Sequence, residues 1–194
     1  MPQKGLLFVI NECPAAMEEE LNAWYDSEHI PERLSIDGFL TASRHVSATR
    51  ARRYLALYDL RDVGVLQSPG YMAFVGENFT PWTKRILSRT KVTRIEAVQV
   101  HSGDANAVAA PRHLVLFWKD VAEATAGKIV EASKHCFDGK PGVAQLRVFA
   151  GSGADTGSML TIVAGAGDLE AHFDPRAFDA SKAQLTQLET YLSY

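Results

Sequence analysis

Two hydrophobic periods alternate along the first half of the chain. Residues 5–12 (GLLFVINE) are a compact apolar run, the pattern of a strand buried on both faces. Pro14 suits the first turn of a helix, which the spacing carries to about Ile30, where Pro31 is expected to stop it. Phe39–Ser47 follows the Asp37-Gly38 turn as a second strand, and residues 52–60 (RRYLALYDL) alternate as a third. Ser68-Pro69-Gly70 reads as a loop interrupting the next helical stretch. A fresh helix starts at Thr80-Pro81, with Thr80 as cap and Pro81 at the first helical position. Residues 92–101 (VTRIEAVQVH) alternate as a fourth strand. The order β-α-β-β-α-β is the split βαβ, or ferredoxin-like, unit.

The same order recurs after residues 102–111 (SGDANAVAAP), a small-residue stretch that reads as a linker. Residues 113–119 read as a strand, 122–137 as a helix, Pro141-Gly142 as a turn, and 143–150 and 159–164 as strands. A second helix is expected over 169–182 and a last strand over 185–194. Thr93-Arg94-Ile95-Glu96 matches Thr186-Gln187-Leu188-Glu189, and Asp37-Gly38-Phe39 matches Pro141-Gly142-Val143, each at the equivalent place. These matches indicate an internal duplication: repeat one at 1–103, a linker at 104–111 and repeat two at 112–194. A four-stranded sheet with both helices on one side leaves its other face bare. Two tethered units packed sheet to sheet cover those faces, so the expected class is α+β, an α/β barrel formed within one chain. Leu40, Ala42 and Val46, together with Leu55 and Leu57, are expected to supply the covered face, with Arg44 breaking the first pattern.

Composition narrows the function classes. With 46% hydrophobic residues the chain can build a core, so disorder is excluded. Lys and Arg number 20 against 23 Asp and Glu, without a long basic run, which argues against nucleic acid or an anionic membrane as partner. Apolar runs such as 5–10 and 114–118 are far short of a membrane span, and no cleavable signal is evident at the N-terminus, so a cytoplasmic protein is expected. Cys13 and Cys136 are distant and read as reduced, buried small side chains. The six histidines are scattered, and none sits with Cys or carboxylates at ligand spacing, so no metal is expected. The glycines of residues 151–157 join two antiparallel strands and read as a hairpin loop rather than a phosphate cradle.

The segment Trp24-Tyr25-Asp26-Ser27-Glu28-His29-Ile30-Pro31-Glu32-Arg33-Leu34, followed by Asp37-Gly38-Phe39, resembles the signature of the dimeric α/β-barrel superfamily, in particular EthD-like proteins. In these a helix ends in His-x-Pro shortly before a Pro-Gly-Phe-type turn. Residues 78–83 (NFTPWT) resemble the second-helix region of bacterial relatives in that group. The resemblance implies a pocket-bearing fold but no single reaction. It also implies that His29 stands where many EthD-like enzymes place a cavity histidine.

The residues allow chemistry there. Tyr25 lies one helical turn before His29, so a proton-transferring imidazole and a hydrogen-bonding phenol share a face. The structural alternative is a histidine bonded to the last carbonyls of its helix, with Tyr25 packed beneath it. Glu28 is a further acid/base group or, more simply, a solvent-facing partner of Arg33. Trp24, Tyr54, Tyr58, Phe79 and Trp82 can wall an aromatic pocket or serve as core. His45 can face the helices and share the cavity with His29, or sit in water at the strand end. Arg44 and Arg94 can meet inside the barrel to anchor a carboxylate, although Glu96, on the same face as Arg94, makes an ion pair the simpler outcome. Repeat two carries Ser133 where repeat one has His29, so chemistry is expected once per chain.

The leading expectation is a cofactor-independent lyase or isomerase acting on a small aromatic or polyketide-like carbonyl or carboxylate compound. His29 is its general acid/base and Tyr25 its hydrogen-bond donor. The rivals are a non-catalytic small-ligand or haem-binding protein using the same cavity, and a degenerate member retained for assembly. The pseudo-dimer within one chain can pair again as a homodimer.

Overall fold

The computed structural model describes residues 3–194. Eight strands close into one antiparallel barrel: β1 (Gly5–Glu12), β2 (Phe39–Ser47), β3 (Arg53–Leu60), β4 (Lys91–His101), β5 (Arg112–Trp118), β6 (Val143–Gly151), β7 (Met159–Gly165) and β8 (Leu185–Ser193). Around the barrel they run β1-β3-β2-β8-β5-β7-β6-β4. The first four strands are therefore ordered β4-β1-β3-β2 and the last four β8-β5-β7-β6, the same arrangement twice. The halves join at their edges, where His45, Val46 and Ser47 pair with Ser193, Leu192 and Tyr191, and β4 pairs with β6. This leaves the sheet without a free end.

Alternation explains which side chains go where. On β1, Leu6, Phe8 and Ile10 turn inward, where they join Leu55, Leu57, Ile95, Val115, Phe117, Phe149 and Ile162 in a filled apolar interior. Leu7 belongs instead to an outer layer with Leu21, Trp24, Tyr25, Tyr58 and Ile86, under the helices of the first half. A matching outer layer in the second half contains Leu116, Trp118, Ile129, Phe137 and Val163. Ala42 and Val46 pack into the first outer layer, and Leu40 is 40% exposed, contrary to their expected place between the sheets. Arg44 shares their face, so it points away from the barrel interior.

Ion pairs seat charged residues at both barrel mouths. At one, Arg53 meets Glu12 and Glu189, and Glu189 also accepts from Ser47 and Tyr191. At the other, Arg147 Nη1 lies 2.6 Å from Asp59 Oδ1. The stretch read as a linker packs over this second mouth. Gln99 Nε2 donates to Gly103 O and Ala105 O, and the Ala107 N–H donates to Asp59 Oδ2 at 2.6 Å. Gln145 bonds the backbone of Asn106 and Val108.

The expected helix stop at Pro31 is replaced by a change of pitch. Helix α1 (Glu18–Trp24) runs into a wide π turn, Tyr25–His29, and continues as α2 (Ile30–Leu34). The Ile30 N–H reaches back five residues to Tyr25 O. Pro31 follows directly and supplies no N–H to the ladder, and the change of pitch just before it lets the helix carry its ring without ending. Ser68-Pro69-Gly70 likewise starts a helix, α3 (Pro69–Met72), because Ser68 Oγ caps the Tyr71 N–H. Helix α4 (Pro81–Arg89) begins as read, with Thr80 Oγ1 accepting from the Thr83 N–H. Gly38 is required before β2: its φ is +96°, and a Cβ there would come within 2.4 Å of Val65. Gly142 occupies the equivalent place before β6 with φ +79°.

In the second half, α5 (Glu123–Phe137) forms as expected, but the helix over 169–182 does not. Only short 3-10 turns, Glu170–His172 and Asp179–Gln184, form there. Pro175 interrupts the segment, Asp174 is drawn to the Arg176 N–H and guanidinium, and Phe173, Phe178 and Trp118 stack to anchor the loop. Among the described residues no helix is long and apolar enough to cross a membrane.

Candidate functional site

The helices of the first half do not close fully on the barrel. Between them lies a cavity of about 390 Å³, lined by Leu7, Val9 and Asn11 of β1, Trp24, Tyr25 and His29 of the π turn and its approach, and Arg33 of α2. Tyr71, Val75, Phe79, Thr83 and Leu87 cover it, and Val92 and Arg94 of β4 complete the floor. The lining is mainly apolar, the setting in which a few polar groups carry specificity. Among the described residues no group of three or more His, Cys, Asp or Glu side chains converges in metal-binding geometry.

His29 is held by aromatic rings. Its imidazole stacks on Trp24 with centroids 4.2 Å apart and planes at 28°, and meets Tyr25 edge-on at 5.4 Å. Its Nδ1 is enclosed and has no hydrogen-bond partner, which sets aside the expectation of a histidine tied through that atom to helix carbonyls. Burial, reinforced by the Arg33 and Arg44 guanidinium groups, lowers its pKa well below the ordinary histidine value, so the ring is neutral. Burial pushes the Tyr25 phenol up, against the opposing pull of Arg44, whose guanidinium carbon lies 4.2 Å from its ring centroid. Tyr25 therefore stays protonated, a donor.

Two further enclosed polar atoms on this cavity lack partners: Arg33 Nη1 and Asn11 Oδ1. Arg33 is 2% exposed, donates through Nη2 to Phe74 O at 3.2 Å, and lies over the Tyr71 ring. Buried polar groups are rarely left unpaired in native folds, so three such atoms on residues lining one cavity set this place apart from the rest of the outer layer.

Glu28 is neither a second acid/base group in this cavity nor free in solvent. It accepts from Thr80 Oγ1 at 2.6 Å, Thr83 Oγ1 at 3.0 Å and Trp24 Nε1 at 3.2 Å. The carboxylate thus joins α4 to the π turn and fixes the indole on which His29 stacks. Trp24 Nε1 also reaches Thr83 Oγ1 at 3.0 Å, so Glu28→Ala chiefly deprives the Thr80 and Thr83 hydroxyls and is expected to lower stability by about 1–3 kcal/mol. Glu28→Gln, which retains an acceptor oxygen, is expected to lose less. Urea unfolding measures both, and equal midpoints for Glu28→Ala and the parent would refute the bracing role.

The other aromatic expectations divide. Phe79 lines the cavity. Tyr58 is fully buried below His29, their centroids 6.3 Å apart, and does not line it. Tyr54 lies elsewhere on the outer face, donating to Glu18 Oε1 and flanking Arg44, because its place at the start of β3 sets it under α1. Trp82 turns its Nε1 to Glu20 and packs outside the cavity. His45 does not join His29. It lies opposite Leu55 on the inward face of β2, and its ring meets His113 at 4.1 Å. Arg44 and Arg94 do not meet either, since both point outward at different places: Arg44 sits among tyrosines, and Arg94 pairs with Glu96 at 2.6 Å and donates to Tyr71.

Arg33 and Asn11 were not singled out from the sequence. Arg33 carried a signal, standing four residues after His29 and so on its face of the helix. Asn11 is the polar member of the alternating set Leu7-Val9-Asn11 on an otherwise apolar strand. In the second half, Ser133 occupies the place matching His29, and it is fully buried and bonded to Thr161 Oγ1 at 2.8 Å.

No protein-family model matches the chain, and no curated protein does. Solved structures share its fold. An anthrone oxidase-like protein aligns with a TM-score of 0.70 at 13% identity, over 100% of this chain and 92% of its own. A chlorite dismutase variant from Candidatus Nitrospira defluvii aligns at 0.60 and 11% identity, over 100% and 93%. At such identities the likeness establishes the fold alone, that of the dimeric α/β barrels, here completed by one chain.

Proposed function

We propose that the chain is a cofactor-independent enzyme of the EthD-like group, built from an internal duplication. Its cavity takes a small aromatic or polyketide-like carbonyl compound, and His29 removes a proton from it. The observation that carries this reading is that His29, neutral and with a buried Nδ1 that has no partner, lines the same cavity as Arg33, whose buried Nη1 also has none. A neutral imidazole accepts a proton from a carbon or hydroxyl adjacent to the carbonyl. The electron pair moves onto the carbonyl oxygen, and Arg33 and the Tyr25 O–H meet the charge that develops there. The apolar walls exclude water and strengthen these contacts. Return of the proton from the imidazolium to another carbon of the same compound completes an isomerisation, and departure of a leaving group from the anion completes a lyase reaction.

A second reading has the anion react with dioxygen. A methylene between two aromatic rings then becomes a ketone, with one dioxygen consumed and one water released. The name of the anthrone oxidase-like neighbour favours it. Both readings share the proton abstraction, which can be measured by itself. With β-keto aromatic acids and hydroxyanthrones in deuterated water, the protein is expected to speed deuterium exchange at the acidic position. His29→Gln is expected to reduce that rate about 10²–10⁴-fold while leaving the fold intact. Oxygen uptake in the same samples separates the two fates. Tight binding of these compounds without exchange or turnover would sink the enzymatic reading in favour of a binding protein.

A further inference from the structure

Arg44 stands behind the cavity of His29 rather than in it. It projects from the outer face of β2, is 6% exposed, and is not among the residues lining that cavity. Its Nη2 donates to Asn22 Oδ1 of α1 at 2.8 Å, while Nε and Nη1 are enclosed and have no hydrogen-bond partner. Three tyrosine rings surround the guanidinium carbon, with centroids at 4.2 Å for Tyr25, 4.7 Å for Tyr194 and 5.1 Å for Tyr54. The negative faces of these rings attract the cation and stand in for the acceptors that a buried guanidinium otherwise finds.

Both halves of the chain build this cage. Asn22 and Tyr25 come from α1 and the π turn, Tyr54 from β3, and Tyr194 from the residue after β8. The Tyr194 N–H donates to Arg44 O at 3.2 Å, extending the short pairing of β2 with β8 and setting its ring edge-on to Tyr54 at 5.5 Å. Tyr54 in turn donates to Glu18 Oε1 at 2.6 Å. The charge held there is weakly neutralised. Among the described residues the only carboxylate within 4 Å of Arg44 is that of Asp26, 3.7 Å from Nη1 and 64% exposed, where water screens it.

A phenol that donates to a developing oxyanion gains negative charge on its own oxygen, and a cation against its ring stabilises that gain. Tyr25 lines the cavity, and its phenol also faces Asn11, Arg33, Tyr58 and His29. The charge of Arg44 disfavours the imidazolium of His29 as well. On Tyr25, however, Arg44 is the foremost charge, whereas on His29 it ranks behind Arg33, so its effect falls mainly on the phenol.

We propose that Arg44 is a positioning residue for the reaction assigned to His29: it holds Tyr25 and strengthens it as donor to the oxyanion, and Tyr194 of the second half completes the cage that keeps this charge from water. The inference rests on the reading of His29 as a base, and gives the second half, which has Ser133 in place of His29, a part in the chemistry of the first.

Deuterium exchange with the β-keto aromatic acids tests it. Arg44→Met is expected to lower kcat about tenfold and to leave KM within about twofold, because Arg44 touches no substrate. Arg44→Lys, which keeps the charge and loses the planar fork, is expected to recover about threefold of that loss. Tyr194→Ala removes a ring that is 58% exposed, and is expected to fold and to lose about threefold in kcat as water reaches the guanidinium. It carries the test if Arg44→Met does not fold. Imidazole NMR gives a second readout: the His29 midpoint is expected to rise in Arg44→Met and to stay near that of the parent in Arg44→Lys. Full kcat in folded Arg44→Met, equal losses in the Met and Lys variants, or a His29 midpoint that ignores loss of the charge each overturn the role of Arg44 while leaving His29 as the base. A parent that exchanges no deuterium overturns the reading of His29, and the role of Arg44 with it.

Discussion

Arg147→Met is expected to destabilise the protein by about 3–5 kcal/mol, lowering the Tm by roughly 10 °C. Arg147 of β6 and Asp59 of β3 come from different halves of the chain, and both side chains are 3% exposed. Removing the guanidinium leaves the Asp59 carboxylate enclosed with only the Thr41 hydroxyl and the Ala107 N–H as donors. The two polar donors do not replace a lost counter-charge in a poorly solvated place. Combining Arg147→Met with Asp59→Leu is expected to recover much of the loss, because no ion is then stranded. Recovery stays incomplete, since Thr41 and Ala107 lose their acceptor. Urea unfolding of the single and double variants separates these contributions. A single variant as stable as the parent would show that the pair does not hold this mouth of the barrel.

Acid should weaken the fold before most carboxylates titrate. His45 is held down at about 3 and His113 at about 4, in both cases chiefly by burial, against about 6.5 in an unfolded chain. Well above pH 6.5 neither state binds these protons, and the stability contribution is fully present. As pH falls below 6.5 the unfolded chain takes up protons that the folded protein refuses, so stability drops by roughly 1.4 kcal/mol per pH unit for each ring. The decline continues until the folded rings titrate. Between pH 6.5 and 4.5 the two rings together account for a loss on the order of 4 kcal/mol. His29, also lowered, acts in the same direction. The pH dependence of the urea midpoint measures this, and the His45→Leu, His113→Leu double variant is expected to flatten it. An unchanged slope in that variant would assign acid sensitivity to other groups.

Much of the fold was legible because strands announce themselves locally. Residues 5–12 and 39–47 have the read bounds, and the capped start of α4 does too, since each depends on neighbours within a few positions. Errors arose where distant contacts outweighed local signals. Pro31 looked like a stop because an α-helix needs the N–H it lacks, and the π turn that accommodates it follows no local rule. The expected helix over 169–182 lost to Pro175 and to aromatic stacking on Trp118. Ala42 and Val46 were set on the wrong side of β2, because alternation says that two faces differ without saying which one meets helices. The site was partly legible. Trp24, Tyr25, His29 and Phe79 line one cavity, while Tyr54, Trp82 and His45 lie outside it.

Local chemistry along the chain was enough to set the succession of strands along each half, the glycine turns before β2 and β6, and the residue types able to exchange a proton. These follow from short-range sterics, hydrogen bonding and solvent preference. Closure at the two edges, the direction each face of β2 takes, the union of His29 with Arg33 and Asn11, and the meeting of His45 with His113 required the folded molecule. Each depends on residues far apart in the chain, whose contacts come from how the two halves pack.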